Sequence, residues 1–517
     1  MNRISTTALC VSSVVLCLAA AAGAADPPGV VIDRSPDFDR VYVGCPSIAV
    51  LPDGSYVASH SWFGPGTPNS QSAVFASADR GETWKHIADI DGQWWSTLFT
   101  HNDALYIMGV SQQYGHAVIR RSTDGGRTWT DPKDEKTGLL LADAKYHCAP
   151  VPVVVHQGRV WRAYEDGEAG GGWGRHFRAL VVSAPVDADL LDASSWTATN
   201  RLHLNPEWLV SERPGWLEGN VVVTPEGGLV NVLRVNDDRG DTAAIVRISP
   251  DGKTLTFDPE KDFIDFPGGR CKFTIRFDPV TKRYWSLVNK QLDPTAYRNV
   301  LALTSSADLR EWKVESIILR HVEQDHHAWQ YVDWLFDRDD MIAASRTAWD
   351  GSHNAHDANY LTFHRVERFR ELSMNDSPPW LGRGEKVAHE HGDVHLEGCD
   401  FRVRPFGTDQ TAFGNRTYVW KEVPERFEGW SYTQTDGGVP AEICVKAKRD
   451  CTVFIATATK QKGVDVTGWS PVDDLSFHYT DRNKNRMAIL QKRLTAGEEI
   501  VVPQGNWTGT VVLLPPE

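Results

Sequence analysis

Short apolar stretches recur along the chain in pairs, each pair joined by a tight polar turn, from about Val43 to Leu372. The pairs span Cys45–Ser59, Thr97–Val110, Val151–Tyr164, Val221–Arg234, Phe273–Val288 and Val332–Arg346. Their turns include Pro52-Asp53-Gly54, His101-Asn102-Asp103, His156-Gln157-Gly158 and Pro225-Glu226-Gly227, residue types that suit hairpins. Six copies of one unit predict a ring of small antiparallel sheets, since a single unit cannot bury its own apolar face. The expected fold is all-β, a six-bladed β-propeller over residues 26–376.

A third strand follows each hairpin and runs into a second kind of turn. Ser77-Ala78-Asp79-Arg80-Gly81-Glu82-Thr83-Trp84 and Ser122-Thr123-Asp124-Gly125-Gly126-Arg127-Thr128-Trp129 are complete copies. Degenerate copies begin at Ser249 and Ser306. The Asp side chain is expected to cap turn N–H groups, Gly to take positive φ, and Trp to pack between blades. These boxes read as scaffold, far from the catalytic mouth. They resemble the Asp-box (BNR) repeat of the sialidase superfamily, and the resemblance covers about two-thirds of the chain.

Past Leu372 the pattern changes. Ser377-Pro378-Pro379 opens a linker over 377–390, and 391–517 reads as a β-sandwich with strands at Phe401–Arg404, Thr417–Trp420, Ala441–Val445, Thr452–Ala456 and Thr508–Leu513. Its bland role is to brace the propeller, and sugar binding is the alternative.

The total of 517 residues is too long for one core, consistent with two domains. Arg3, the apolar run Ala8–Ala22 and the small residues Ala22-Gly23-Ala24 read as a signal peptide over 1–25, which places the protein outside the cytoplasm, secreted or periplasmic. No other apolar run is long enough to cross a bilayer, so no membrane insertion is expected. A formal charge of −14 argues against nucleic acid as a partner. No CxxC pair occurs among the remaining cysteines. Cys45, Cys148 and Cys271 each begin an innermost strand and read as small residues filling the throat. The sequence calls for no cofactor and no metal.

In a propeller, the start of each innermost strand and the loop after each second strand converge at one mouth. Four such segments resemble the sialidase site. Trp216-Leu217-Glu218-Gly219-Asn220 matches the catalytic Glu followed by an amide, so the resemblance assigns Glu218 and Asn220 to those places. Arg234 and Arg298 match two arginines that grip a substrate carboxylate, and Tyr331-Val332-Asp333 matches the run holding the nucleophilic tyrosine. The residue types suit that chemistry. Paired guanidinium groups fork onto a carboxylate, and a phenol needs a base within hydrogen-bond reach before it can attack.

The first blade departs from the family. Gly44-Cys45-Pro46 stands where the family has Arg-Ile-Pro, and Ser61–Ser72 holds no carboxylate where the family has its acid/base Asp. Replacement chemistry is sought in His356 and Asp357 of the sixth blade, with His60 and Trp62 of the first and His147 and Glu165 of the third as further contacts. The leading reading is an exo-acting glycoside hydrolase of sialidase type on a glycan ending in an acidic sugar, sialic or uronic. The alternatives are a polysaccharide lyase acting on uronates, with Tyr331 or His147 moving protons, and a non-catalytic carbohydrate-binding propeller. The expected partner is an acidic oligosaccharide or polysaccharide.

Overall fold

The computed structural model describes residues 26–516 except 239, 291–297, 440, 459–463, 482–483 and 506. The stretch read as a signal peptide, 1–25, and Tyr297 lie outside the described residues. Apart from five single-turn 3-10 segments, the regular structure described is strand, and no described helix is long and apolar enough to cross a membrane.

Among the described residues, the chain up to Val366 forms six antiparallel sheets in succession. The second is built from Trp94–His101, Ala104–Val110, Ala117–Ser122 and Leu139–Leu141. The fourth begins Trp216–Val223 and Leu229–Val235, and the fifth begins Thr274–Asp278 and Arg283–Asn289. The sixth takes Ala328–Asp337, Asp340–Ala348 and Tyr360–Val366, and is completed by Val30–Arg34 from the other end of the chain. That closing strand pairs Val30 with Phe363 and Arg34 with Tyr360. Each paired apolar stretch of the sequence forms the first hairpin of one sheet.

The first strands of the first and third sheets are interrupted. Tyr42–Val43 and Ser47–Val50 flank Gly44-Cys45-Pro46, and Tyr146–His147 and Val154–His156 flank a stretch with Pro150 and Pro152. Proline cannot donate to a ladder. At Gly44 a Cβ would come within 2.4 Å of the Ser61 Oγ, so a side chain there meets the neighbouring strand.

Hydrogen bonds link the first strands around the ring. Ser47 Oγ donates to Asp333 Oδ2 at 2.7 Å and accepts from the Leu98 N–H at 2.9 Å. Thr97 Oγ1 donates to the Val151 carbonyl, the Glu218 N–H to Glu165, Asn220 to the Phe273 carbonyl, and Thr274 Oγ1 to the Val332 carbonyl. Apolar clusters fill the space between neighbouring sheets: Trp161 and Val181 of the third pack with Trp216, Leu233 and Val246 of the fourth. The last sheet packs on the first in the same way, through Ile342 and Phe363 against Ile48 and Phe75.

The box turns have a common geometry. Asp79 accepts from the Thr83 N–H at 2.9 Å, the Gly81 N–H donates to Ser77 Oγ, and Gly81 has φ +96°. Trp84 Nε1 donates to the Gly81 carbonyl, and its ring lies 5.6 Å from that of Phe363 in the sixth sheet. Asp124, Gly126 and Trp129 repeat this arrangement. In the degenerate copy Leu309 takes the positive-φ place, and Trp312 still bonds its carbonyl.

The C-terminal region starts its first strand at Val387, inside the stretch read as linker. It forms a four-stranded and a seven-stranded sheet. Leu396, Ile443 and Val445 of the smaller share a core with Ile455, Leu490 and Val512 of the larger. The seam with the sixth-sheet approach holds Gln324 donating to the Gly438 carbonyl and an Asp325–Arg416 ion pair. No disulfide joins the six described cysteines.

Candidate active site

Three first strands carry the same irregularity. In the second, fourth and sixth sheets the register skips at Trp94/Thr97, Leu217/Asn220 and Gln330/Asp333. Each of these β-bulges holds one bulky residue in the left-handed region: Trp95 (φ +47°), Glu218 (φ +56°) and Tyr331 (φ +55°). A non-glycine residue there is strained by about 1–2 kcal/mol. Bulges re-aim a side chain, and all three residues line one cavity of about 440 Å³ at the N-terminal ends of the first strands. Asn69 and Tyr114, two more left-handed residues, line it as well.

Tyr331 and Glu218 meet in this cavity. The Tyr331 phenol stands close enough to the Glu218 carboxylate for each to act on the other's ionisation. Arg234 Nη1 donates to Glu218 Oε2 at 2.8 Å while its Nε holds the Arg270 carbonyl. Burial pushes the Glu218 carboxyl up, but Arg234, His147 and the Tyr331 hydroxyl outweigh it and hold the group below the ordinary carboxylate range. Burial, followed by the charge of Glu218, pushes the Tyr331 phenol up to about 12. An ionised carboxylate thus faces a protonated phenol, the states a base and its nucleophile need before reaction.

Two further guanidinium groups flank the phenol. Arg298 lies 5.8 Å from the Tyr331 ring, with Nη1 on Gln330 Oε1 at 2.7 Å and its buried Nε unpaired. Arg346 lies 4.9 Å from the same ring and 4.4 Å from that of Phe63. The sequence reading missed Arg346, although the repeat carried a signal for it. In register, Arg346 pairs with Gln330, the residue before Tyr331, as Arg234 pairs with Leu217, the residue before Glu218. Arg346 also interacts electrostatically with Cys45, the residue standing where the family's first arginine is expected.

His356 lines the cavity, but its Nδ1 is shared between Asp357 at 2.7 Å and Arg346 at 3.1 Å. Burial, then Arg346, pushes His356 down to about 3. On the far wall His147 Nδ1 meets Glu165 Oε1 at 2.5 Å. Trp95, Tyr114, Cys148 and Trp173 complete that wall. Trp95, Tyr114 and Trp173 carried no sequence signal beyond being aromatic.

Eight expected contacts are not among the lining residues: Arg234, Arg298, Glu165 and Asp357, which bond or stack on side chains that do line it, and His60, Trp62, Asn220 and Asp333, which are held in the walls. His60 is fully buried, bonded to Asp33 at 2.8 Å and stacked on Phe75. Trp62 packs edge-on against His60, and its carbonyl accepts from Trp94 Nε1. Asn220 ties the fourth sheet to the fifth, donating to the Phe273 carbonyl and accepting from the Ile275 N–H. Asp333 is buried between Ser47, the Ile48 N–H and Arg276. Strand alternation put these residues near the mouth, but the interrupted and bulged strands turn them into the walls.

Lys272 is buried behind Tyr331, its Nζ donating to the Val332 carbonyl at 2.8 Å and to Thr274 Oγ1 at 2.7 Å. Burial pushes it down to about 8. The His353–Asp357 run does not converge as a metal set, since His353 faces Asp39 while His356 faces Arg346. Among the described residues one trio of metal-type side chains does converge, His321, Glu323 and His327, remote from the cavity. Its two rings stack 3.6 Å apart, and both nitrogens of His327 are taken by Glu323 and Asp350.

No family model matches the chain, and no curated protein matches it. Among solved structures it is similar to an α-L-arabinanase of Penicillium chrysogenum, at 14% identity and TM-score 0.43 over 66% of this chain and 98% of that one. A family 93 α-L-arabinofuranosidase of Fusarium graminearum gives 11% and 0.44 over 66% and 98%. An intramolecular trans-sialidase of Ruminococcus gnavus gives 12% and 0.44 over the same shares. Identities this low and TM-scores below 0.5 say nothing about substrate; what the structure establishes is an all-β chain of serial antiparallel sheets with one polar cavity at their strand starts.

Proposed function

We propose that this chain is an exported six-bladed β-propeller with a C-terminal β-sandwich, acting as an exo-glycoside hydrolase on a glycan with a terminal acidic sugar. The observation that carries the reading is the convergence of Tyr331 and Glu218, a phenol and a carboxylate that two left-handed bulges turn into one cavity. Glu218 accepts the phenolic proton as Tyr331 attacks the anomeric carbon. Among glycosidases, sialidases use a tyrosine in this way.

Arg298 and Arg346 supply the grip on a carboxylate. Each keeps a guanidinium nitrogen without a partner among the described residues, Nε in Arg298 and Nη1 in Arg346. A buried donor with no acceptor is unfavourable by about 1–3 kcal/mol until a ligand fills it. The net charge of −14 makes this local cluster the feature that selects an anionic ligand. The cavity volume falls within the range of small-ligand sites.

The test is a panel of 4-nitrophenyl glycosides of sialic, glucuronic and galacturonic acid in both anomeric forms, beside matched acidic oligosaccharides. Release of nitrophenol from one acidic glycoside, with a saturated sugar product, is the expected result. An unsaturated product absorbing in the ultraviolet would make the chain a lyase, and tight binding without turnover would make it a carbohydrate-binding protein.

A further inference from the structure

We infer that His147, oriented by Glu165, donates the proton to the leaving group and later takes one from water. This rests on the hydrolase reading above and names the acid that the first-blade loop lacks. From that loop the cavity receives only Phe63, Gly64 and Asn69, none of which can carry a proton to an oxygen leaving group.

The geometry is that of a positioned histidine. Glu165 is 1% exposed, and its Oε1 accepts from both His147 Nδ1 and the Glu218 N–H. The carboxylate therefore fixes the imidazole and the backbone of the Glu218 bulge together. Glu165 Oε2 is buried with no partner. Trp95 at 4.3 Å and Phe177 at 4.8 Å clamp the imidazole ring. With Nδ1 committed, Nε2 has no partner among the described residues, and His147 lines the cavity. The charged and titratable groups around the pair are Glu218, Tyr114, Cys148 and Arg162.

The other proton carriers on the cavity wall are unsuited. Glu218 is ionised and engaged by Arg234. Burial raises both thiols, Cys148 to about 11 and Cys45 further, and it raises the Tyr114 phenol. His356 has its Nδ1 shared between Asp357 and the Arg346 guanidinium, a cation that opposes its protonation. His147 remains, lining the same cavity as Tyr331. It comes from the third sheet and Tyr331 from the sixth.

The steps balance. The Tyr331 oxygen bonds the anomeric carbon while its proton passes to Glu218. The glycosidic C–O bond breaks, and the leaving oxygen takes the Nε2 proton of the His147 imidazolium. Water then attacks the same carbon and gives a proton to the neutral imidazole, the Tyr331 C–O bond breaks, and Glu218 returns the phenolic proton. Glu165 acts only through His147, as a positioning residue.

The experiment compares the 4-nitrophenyl glycoside turned over best in the panel with the methyl glycoside of the same sugar. Nitrophenolate leaves without protonation, and methanol does not. His147→Ala should therefore lower kcat/KM on the methyl glycoside by about 10²–10⁴-fold while keeping kcat/KM on the nitrophenyl glycoside within about tenfold of wild type. On the nitrophenyl glycoside kcat should fall further, because the hydrolysis of the Tyr331 adduct also loses its base. Added imidazole should restore part of the methyl-glycoside rate. Glu165→Gln should show the same leaving-group dependence of kcat/KM in milder form. Should His147→Ala, or His147→Gln if the first folds poorly, lower kcat/KM on both substrates equally, the assignment to His147 is overturned and the hydrolase reading stands. A wild-type protein that cleaves neither glycoside overturns both.

Discussion

Tyr331 and Glu218 occupy backbone conformations that neither side chain favours, and both are held there by their neighbours. Tyr331→Phe keeps the ring and removes only the hydroxyl. Turnover should fall by orders of magnitude, with ligand affinity within about tenfold, or 1.4 kcal/mol. Glu218→Gln should match it, and the double variant should lose little more than either single one, because both residues serve one proton transfer. Steady-state kinetics beside ligand titration separate these outcomes. Arg346→Met should weaken an acidic sugar by at least about tenfold and leave its neutral analogue unchanged, as titration of the two would show. The sequence carried Glu218, Arg234, Arg298 and Tyr331 to this neighbourhood because each stands at a matched place in the repeat. It did not carry the bulges, since positive φ at Trp95, Glu218 and Tyr331 leaves no composition mark where glycine is absent. Arg346 was legible only through its register equivalence to Arg234.

Each hairpin and box turn was readable as an element, because turn residues and alternation are local. The interruptions of the first and third inner strands were not, as they depend on Pro46, Pro150 and Pro152 meeting a neighbouring strand. The box makes a sharp comparison between two glycines of similar φ. Gly54 (φ +85°) has open space where a Cβ would stand, whereas at Gly81 (φ +96°) a Cβ would lie 2.3 Å from the Phe363 ring. Gly54→Ala should be destabilising by roughly 1 kcal/mol through backbone strain alone. Gly81→Ala should be worse by a further 1–3 kcal/mol, on the order of an overpacked core. Denaturant midpoints of the two variants check this. Lys272 makes the ring's interior sensitive to alkali. Burial lowers its pKa from 10.5 to about 8, so between those values the unfolded chain binds the extra proton. Stability relative to Lys272→Met should therefore rise with pH across that window, by at most about 3 kcal/mol, and stay flat below it.

At the scale of the whole molecule, the apolar pattern anticipated an all-β chain, but not which strand completes the sheet of residues 328–366. Val30–Arg34 does so, lying beside Tyr360–Val366. Removing residues 26–34 should bare that edge, lower the thermal midpoint by about 10 °C and promote self-association. Calorimetry and light scattering would register both effects, and a truncated chain as stable as the full one would show the closing strand to be dispensable. In the C-terminal region the strands at Phe401–Pro405, Glu442–Ala447 and Cys451–Ala458 were legible, whereas the long pair Ser470–Tyr479 and Arg486–Leu494 was not read from the sequence.

The pairing of Val30 with Phe363 also sets an order of events for the newborn polypeptide. Val30–Arg34 has no partner until Tyr360–Val366 has been translated, on the order of half a minute later. During that interval five sheets can form from neighbours in the chain, while the sixth waits on its most distant contact. Ring closure should accordingly be the slow phase of refolding, as pairings between remote segments are. A permuted chain that begins at Trp94 and joins the old ends would make Val30–Arg34 after its partner strand, and would leave the seam between the first and second sheets to close last.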